Sequence, residues 1–163
     1  MAAGKRGLLL VAIGIGLTPA SLVVMLRIVR RNRDVLLGAD PFRNFLKRFN
    51  AVARNISGSR GSTWGLLTHV GRRSGRDYQT PLAVHPYRNG FLVPLTYGPR
   101  TDWYRNLVAA GTGTLAWQGQ TYRVERPEIV SGREPMRAWP LASRIILPLA
   151  GIHEFVWLRR SSP

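Results

Sequence analysis

From residue 64 onward, the chain repeats one pattern: short apolar runs, most of them closed by a turn that contains glycine. Runs of this length, rich in β-branched and aromatic side chains and joined by Asn-Gly or other glycine turns, are typical of antiparallel strands. The pattern therefore predicts a mainly β, α+β fold, built as a small barrel of about six short strands with two or three helices. The six predicted strands lie, in chain order, within 64–70, 79–87, 91–97, 114–117, 121–130 and 153–160.

Two helices are expected between these strands. The first runs from Asp102 to Ala110, with Asp102 as its N-cap and Gly111 at the position after its end, where glycine is favoured. Ser131 and Glu134 form the pattern of a capping box. They predict a second helix that reaches about residue 146 and is kinked at the proline at position 140.

The start of the chain carries a different signal. Residues 7–26 contain no charged side chain, and 20 such residues are just enough to cross a hydrocarbon core of roughly 30 Å. More basic residues follow the run than precede it, which favours a cytoplasmic main domain. The pattern predicts a hydrophobic N-terminal helix within a segment 1–34 that anchors the protein as a single-pass protein of the cell membrane. A signal peptide cleaved after Ala20, or a segment that only lies on the bilayer, remains an alternative.

A second segment, residues 35–61, is predicted to hold an amphipathic helix and a linker. Apolar side chains recur at helical spacing between Phe42 and Ile56, with basic residues off that stripe. Such a helix either packs on the domain or lies on a lipid surface. Residues 57–61, Ser-Gly-Ser-Arg-Gly, end it, so residues 62–163 are predicted to form the barrel domain.

Composition narrows the chemistry. The chain has 24 lysine and arginine residues against 8 acidic ones, a formal net charge of +16. Such an excess favours anionic partners: phosphates, acidic lipid or nucleic acid. No sequence pattern of a specific nucleic-acid-binding module is present. The chain has no cysteine and only 3 histidines, scattered along it. Disulfides, thiol catalysis and a metal site are therefore not expected.

The turn between the first two predicted strands, Gly71–Arg76, reads Gly-Arg-Arg-Ser-Gly-Arg. Backbone amides of a glycine-rich turn can form an anion-binding concavity. Arg72, Arg73 and Arg76 would add charge-assisted donors, and Ser74 would add a hydroxyl. Chemically this is a phosphate cradle, although an exposed turn with solvated arginines gives the same pattern.

Three stretches in order resemble the deazaflavin (F420)-dependent nitroreductase and quinone reductase family. They are LLTHVGRRSGRDYQTPL (66–82), FLVPLTYG (91–98) and DWYRNLVAAG (102–111). The resemblance covers about residues 62–130. It implies a split β-barrel related to flavin-binding barrels, and a turn that holds the phosphodiester of the cofactor tail. FMN is the alternative cofactor.

What the resemblance implies for single residues follows the matched positions. The cofactor-binding residues would be Gly71, Arg72, Arg73, Ser74, Gly75, Arg76, Pro81, Pro94, Leu95, Thr96, Arg100, Trp103 and Asn106. The link from Tyr97 to Asp102 is shorter than in better-known members and lacks their lysine, for which Arg100 would substitute. Trp103 and Asn106 are also explained as a core anchor and a loop clamp.

The implied activity is a hydride transfer from reduced F420 to a small-molecule acceptor of quinone-like, enone or nitroaromatic type, at the membrane. Tyr97 and Tyr104 are the candidate proton donors, although interior tyrosines often hold only structural hydrogen bonds. His69 and His85 are more simply explained as barrel histidines. Two other functions stay open: a non-catalytic barrel that carries a deazaflavin or flavin, and a charge-driven binder of anionic lipid or nucleic acid. Oligomeric state is not predicted.

Overall fold

The computed structural model describes residues 18–32, 53 and 56–161 of the chain. Seven strands and four helices lie within them. The strands are β1 Trp64–Val70, β2 Asp77–Ala83, β3 His85–Tyr87, β4 Gly90–Pro94, β5 Thr112–Trp117, β6 Gln120–Ser131 and β7 Glu154–Arg160. The helices are α1 Pro19–Arg31, α2 Asp102–Ala110, α3 Arg133–Ala138 and α4 Leu141–Leu149.

All seven strands form one antiparallel sheet, in the order β2-β1-β5-β6-β7-β4-β3. The mainly β prediction is confirmed, whereas the predicted strand number of about six is too low. The run 79–87 supplies two strands instead of one, because the chain leaves β2 after Ala83 and pairs with β4 from His85 onward. In the described part of the chain no hydrogen-bonded pairing closes the sheet into a barrel.

The sheet is nevertheless strongly curled. β2 and β3 are its two outermost strands, yet only Val84 separates them along the chain. A single residue spans about 3.5 Å, so the opposite edges must come together. The main core confirms this, because Leu82 of β2 and Val93 of β4 belong to the same buried cluster. That cluster also holds Leu67, Leu107, Leu115, Val124, Val156 and Leu158.

A second core lies on the outer face of the sheet, under α3 and α4. Phe155 and Leu92 are fully buried there, and Trp139 stacks on Phe155 with ring centroids 5.9 Å apart. Leu147 of α4 packs against this cluster. One outer region of the sheet, formed by β3, β4 and β7, is therefore covered, while the outer face of β2, β1 and β5 is largely solvated.

The helix boundaries correct three expectations. The N-cap of α2 is Thr101, and Asp102 is its first residue; Gly111 ends the helix with φ of 72°, as predicted. The predicted helix over 131–146 is two helices, because Pro140 has extended backbone and separates α3 from α4. The N-cap of α3 is Gly132, with no side-chain cap, so the capping box at Ser131 is absent.

Helix α1 begins inside the uncharged run, where Thr18 caps it by accepting a hydrogen bond from the Ser21 amide at 3.2 Å. Within the described residues, no helix has both the length and the apolar character that a membrane span requires. Residues 7–17 and most of the segments 1–34 and 35–61 lie outside the described residues. The N-terminal hydrophobic helix, the amphipathic helix and the domain boundaries therefore stay predictions.

Candidate functional site

The Gly71–Arg76 turn joins β1 to β2 and is closed by its own backbone. The Gly71 amide donates to the Arg76 carbonyl, and the Gly75 amide donates to the Gly71 carbonyl, both at 2.8 Å. Gly75 has φ of 65°, a conformation that favours glycine. Gly71 is needed for space, because a Cβ there would lie 2.5 Å from the ring of Tyr78. The two glycines thus set the shape of the turn.

Arg72 attaches the turn to helix α2. Asn106 Oδ1 accepts hydrogen bonds from the Arg72 amide at 3.2 Å and from its Nη1 at 2.8 Å. Arg72 Nη2 forms an ion pair with Asp102 Oδ1 at 2.9 Å. The Arg72 side chain is 18% exposed, whereas Asp102 is 83% exposed. One arginine of the turn is therefore committed to holding the turn on the helix.

Asn106 is buried and continues this network into the sheet. Its Nδ2 donates to His69 Nδ1 at 3.3 Å, so His69 is neutral with the proton on Nε2, which then donates to Thr80 Oγ1 at 3.0 Å. Burial lowers the pKa of His69, opposed by the nearby carboxylates of Asp102 and Asp77. The network from Asp102 through Arg72, Asn106 and His69 to Thr80 thus joins the turn, α2, β1 and β2.

The other two arginines of the turn are available to a ligand. Arg73 and Arg76 are exposed, and among the described residues neither forms an ion pair. Ser74 is exposed as well, and its Oγ accepts from the Arg76 amide at 3.3 Å. In the same part of the chain, no hydrogen bond engages the amides of Arg73 and Ser74. Two guanidinium groups, a hydroxyl and two amides on one turn are a donor set suited to a phosphate.

Tyr78 is a member of the site that the sequence analysis missed. Its hydroxyl lies 3.1 Å from Ser74 Oγ, and its ring stacks on His69 with centroids 6.0 Å apart. The side chain is 45% exposed, so it presents an aromatic edge beside the turn. Tyr78 precedes Thr80 and Leu82 by two and four residues, so it lies on the same face of β2 as the buried Leu82 and opposite His69 of β1. That spacing predicts an inward face and indicates no role beside the turn.

A solvent-open groove begins at the base of the turn. It has a volume of about 480 Å³ and crosses the outer face of β1, β5 and β6. Val70 and Asp77, the strand ends that flank the turn, form one end, and Arg123 of β6 lines it as well. The remaining lining residues are largely hydroxyl-bearing: Thr68, His69, Thr112, Gly113, Thr114 and Thr121. The groove holds one arginine and one aspartate among its hydroxyl-bearing residues, and it adjoins the available donors.

The other residues predicted to bind the cofactor are placed unequally. Leu95 is 1% exposed and Trp103 is 9% exposed, and both belong to the main core. Pro81 and Pro94 are buried in β2 and β4. Thr96 is half-buried, and Arg100 is exposed. Contact of these residues with a cofactor stays a prediction.

The two candidate proton donors differ in position. Tyr97 is half-buried in the link between β4 and α2, and Tyr104 is half-buried on α2, where it packs edge-on to Trp103 at 5.9 Å between centroids. Burial raises the pKa of Tyr97 and of Tyr104 above the ordinary value. Both hydroxyls therefore keep their proton at neutral pH.

His85 lies apart from the turn. Its ring packs against Trp139 of the second core with centroids 5.3 Å apart, and burial lowers its pKa. Over the described residues, no group of three or more His, Cys, Asp and Glu side chains is placed to hold a metal ion.

Neither a protein-family model nor a curated protein sequence matches the chain. Among solved structures, it is similar to one described as an F420-H2 dependent reductase (FDR-A), with 21% identity and a TM-score of 0.45, over 61% of this chain and 95% of that chain. A second, described as a domain-swapped dimer, has 20% identity and a TM-score of 0.44, over 58% of this chain and 79% of that one. At such low identity and TM-score, the similarities do not assign this chain to a family.

Proposed function

We propose that this protein is an oxidoreductase that binds the deazaflavin F420 by its phosphodiester at the Gly71–Arg76 turn and reduces a quinone-like, enone or nitroaromatic acceptor. The main support is the pair of hydrogen bonds from Arg72 to Asn106. The two residues lie in separate stretches of the family-like pattern, and in the fold they meet in one site. Through this contact, the stretch that contains the turn and the stretch that forms α2 together hold the turn in one shape.

The donor set fits the phosphate end of such a cofactor. A diester carries one negative charge and several acceptor oxygens. Arg73 and Arg76 supply the opposite charge, and Ser74 supplies a hydroxyl beside exposed amides. The turn is already fixed by Arg72 and Asn106, so little conformational entropy is lost when an anion binds. FMN, which carries a phosphate as well, satisfies the same donors and is the alternative cofactor.

The chain's own residues would bind the cofactor, orient it and donate a proton to the acceptor. When bound, the reduced deazaflavin supplies a hydride. The turn holds the tail, and the link between β4 and α2 brings Thr96 and Tyr97 near the helix that carries Asn106. Tyr97 keeps its proton at neutral pH, since its ordinary pKa of 10.0 is raised further by burial, and it is the leading donor of a proton or hydrogen bond to the reduced acceptor. Tyr104, with the same direction of shift in its pKa, is the second.

Purification from a host that makes both F420 and flavins tests the cofactor. The absorbance spectrum of the bound fraction distinguishes a deazaflavin from FMN. Binding of F420 is then compared with binding of its phosphate-free riboside form. We expect the phosphate-bearing form to bind more tightly; equal affinity for both forms would refute a phosphate site at the turn.

The acceptor is tested by single-turnover oxidation of the reduced cofactor, with and without a quinone, an enone and a nitroaromatic compound. Acceptor-dependent bleaching of the reduced cofactor supports the enzyme. Tight cofactor binding without acceptor-dependent oxidation would instead support a carrier.

A further inference from the structure

Helix α4 exposes a stripe of large aliphatic side chains. Leu141, Ile145 and Leu149 are four residues apart, so they lie on one face of the helix. They are 69%, 57% and 51% exposed. The opposite face is used differently, because Leu147 packs against the second core. The stripe is therefore not needed to hold α4 on the sheet.

Helix α1 adds a second apolar face beside the first. Val24 is 55% exposed and Ile28 is 53% exposed, with Met25 next to them at 37%. The backbones of α1 and α4 are in contact. We name these six side chains of α1 and α4 the helical apolar face. So many exposed aliphatic groups on two neighbouring helices mark an interaction surface.

The charged residues of these two helices, among those the structure describes, have one sign. Arg27 and Arg31 are exposed on α1, and Arg144 is exposed on α4. Neither helix contains an acidic residue. Glu134, on the preceding short helix, is occupied by Arg88 at 2.7 Å. A rim that is only basic is complementary to an anionic surface.

We propose that the helical apolar face docks on the interface of an anionic lipid bilayer. An apolar face with a basic rim is the composition that seats helices at the headgroup boundary. A second copy of the chain would bring two basic rims together, which like-charge repulsion disfavours. The uncharged residues 7–17 directly precede α1 in the chain, so a lipid-bound N-terminal segment would bring α1 close to the bilayer. The proposal is independent of the redox activity.

The absence of native cysteine allows a direct test. The full chain carrying Ile145→Cys is labelled with an environment-sensitive fluorophore and added to phosphatidylglycerol vesicles that contain brominated lipid. The matched control is Val108→Cys on α2, where the native valine is 50% exposed. We expect the probe at position 145 to shift to the blue and to be quenched by the brominated lipid several-fold more than the control probe. Leu149→Cys repeats the test at a second site, and circular dichroism checks the fold of each variant.

The outcomes separate the occupants of this face. Equal quenching at positions 145 and 108 would overturn the proposal, even if the protein is retained on vesicles through its N-terminal segment. Protection of the probe from aqueous iodide without bromolipid quenching would also overturn it, and would indicate a second copy or another protein. Stronger bromolipid quenching on phosphatidylglycerol than on phosphatidylcholine vesicles would support the part played by the basic rim.

Discussion

Two tight turns of this molecule carry arginine, and they use it in opposite ways. In the hairpin at residues 88–90, Arg88 contacts Glu134 at 2.7 Å and lies over the Trp157 ring at 5.1 Å. In the turn at residues 71–76, only Arg72 is bound to a carboxylate, while Arg73 and Arg76 have no ion pair within the described part of the chain. The arginine of the first turn is held by structural contacts, whereas the second turn keeps two arginines without a described ion pair.

The position of the few acidic residues explains the difference. The chain has 8 acidic residues, and Glu128 and Glu134 both lie near Trp157, where they pair with Arg159 and Arg88. Asp102 is the one carboxylate bound to the arginine turn, among described residues, and it is spent on Arg72. Arg72 and Arg88 are thus each held by a carboxylate, whereas no ion pair among the described residues neutralises Arg73 or Arg76.

Removing the contact that fixes the arginine turn should have the largest effect. Asn106→Ala leaves the Arg72 guanidinium and the His69 ring without their buried partner. Unsatisfied groups of this kind cost about 1–3 kcal/mol each, so we expect the free energy of unfolding to fall by about 2–4 kcal/mol. Urea denaturation measures it.

The matched control lies on the same helix. Val108 is 50% exposed, and Val108→Ala should change the stability by less than about 0.5 kcal/mol. If Asn106→Ala were equally mild, the network would not hold the turn, and the distinction between Arg72 and its two neighbours would fail.

Replacing arginines of each turn by glutamine sharpens the comparison between the two turns. Arg73→Gln and Arg76→Gln should each weaken F420 binding by about 10–100-fold, since a charge-assisted hydrogen bond contributes about 1.5–3 kcal/mol, and should leave thermal stability unchanged. Arg88→Gln should do the reverse and lower the melting temperature without changing affinity. Titration calorimetry and thermal denaturation of the three variants give both quantities. Loss of affinity in Arg88→Gln would contradict the division.

Much of the fold follows from local sequence. The strand predicted over 64–70 matches β1, and Gly111 ends α2 as expected. The errors come from tertiary contacts. The run 79–87 has continuous strand propensity, but its first half pairs with β1 and its second half pairs with β4, at opposite edges of the curled sheet. Likewise, Trp139 enters the second core with Pro140 after it, and one predicted helix becomes two.

The site was predictable in part. The arginine turn was evident from its composition, but which arginine would be bound to a carboxylate was not, because Asp102 lies 30 residues away along the chain. The same holds for His69, whose partner Asn106 is 37 residues away. Tyr78 was missed because its spacing from Thr80 and Leu82 places it on the core face of β2 and does not show that this end of the face is exposed beside the turn.

Between the two candidate proton donors, Tyr97 should matter more. Tyr97→Phe removes a hydroxyl from the link that follows β4, and we expect turnover to fall by about tenfold or more if that hydroxyl acts in the transition state. Cofactor affinity should stay nearly constant. Single-turnover bleaching of the reduced cofactor measures the step. Tyr104→Phe is the control, and a larger loss of turnover there would reverse the assignment.

The smallest expected effect is the change of stability with pH. It tests whether protonation of His69 disturbs the arginine turn. Burial lowers the pKa of His69 below its ordinary value of 6.5, so the unfolded chain takes up a proton before the folded one does. Stability present above pH 6.5 is therefore lost as pH falls through the folded-state pKa. Burial lowers the pKa of His85 in the second core as well, so both histidines lower the free energy of unfolding as the pH falls.

His69→Gln, whose side chain can still accept a hydrogen bond from Asn106, should reduce the loss of stability between pH 7 and 5, measured by urea denaturation. His85→Gln should reduce the part of this loss of stability that comes from the second core. Only protonation of His69 in the folded protein should release the arginine turn, so F420 affinity of the wild type should weaken as pH falls through the folded-state pKa of His69, which lies below 6.5, and that of His85→Gln should weaken equally. An affinity that stays constant as pH falls through that folded-state pKa would show that the turn keeps its shape when His69 is protonated.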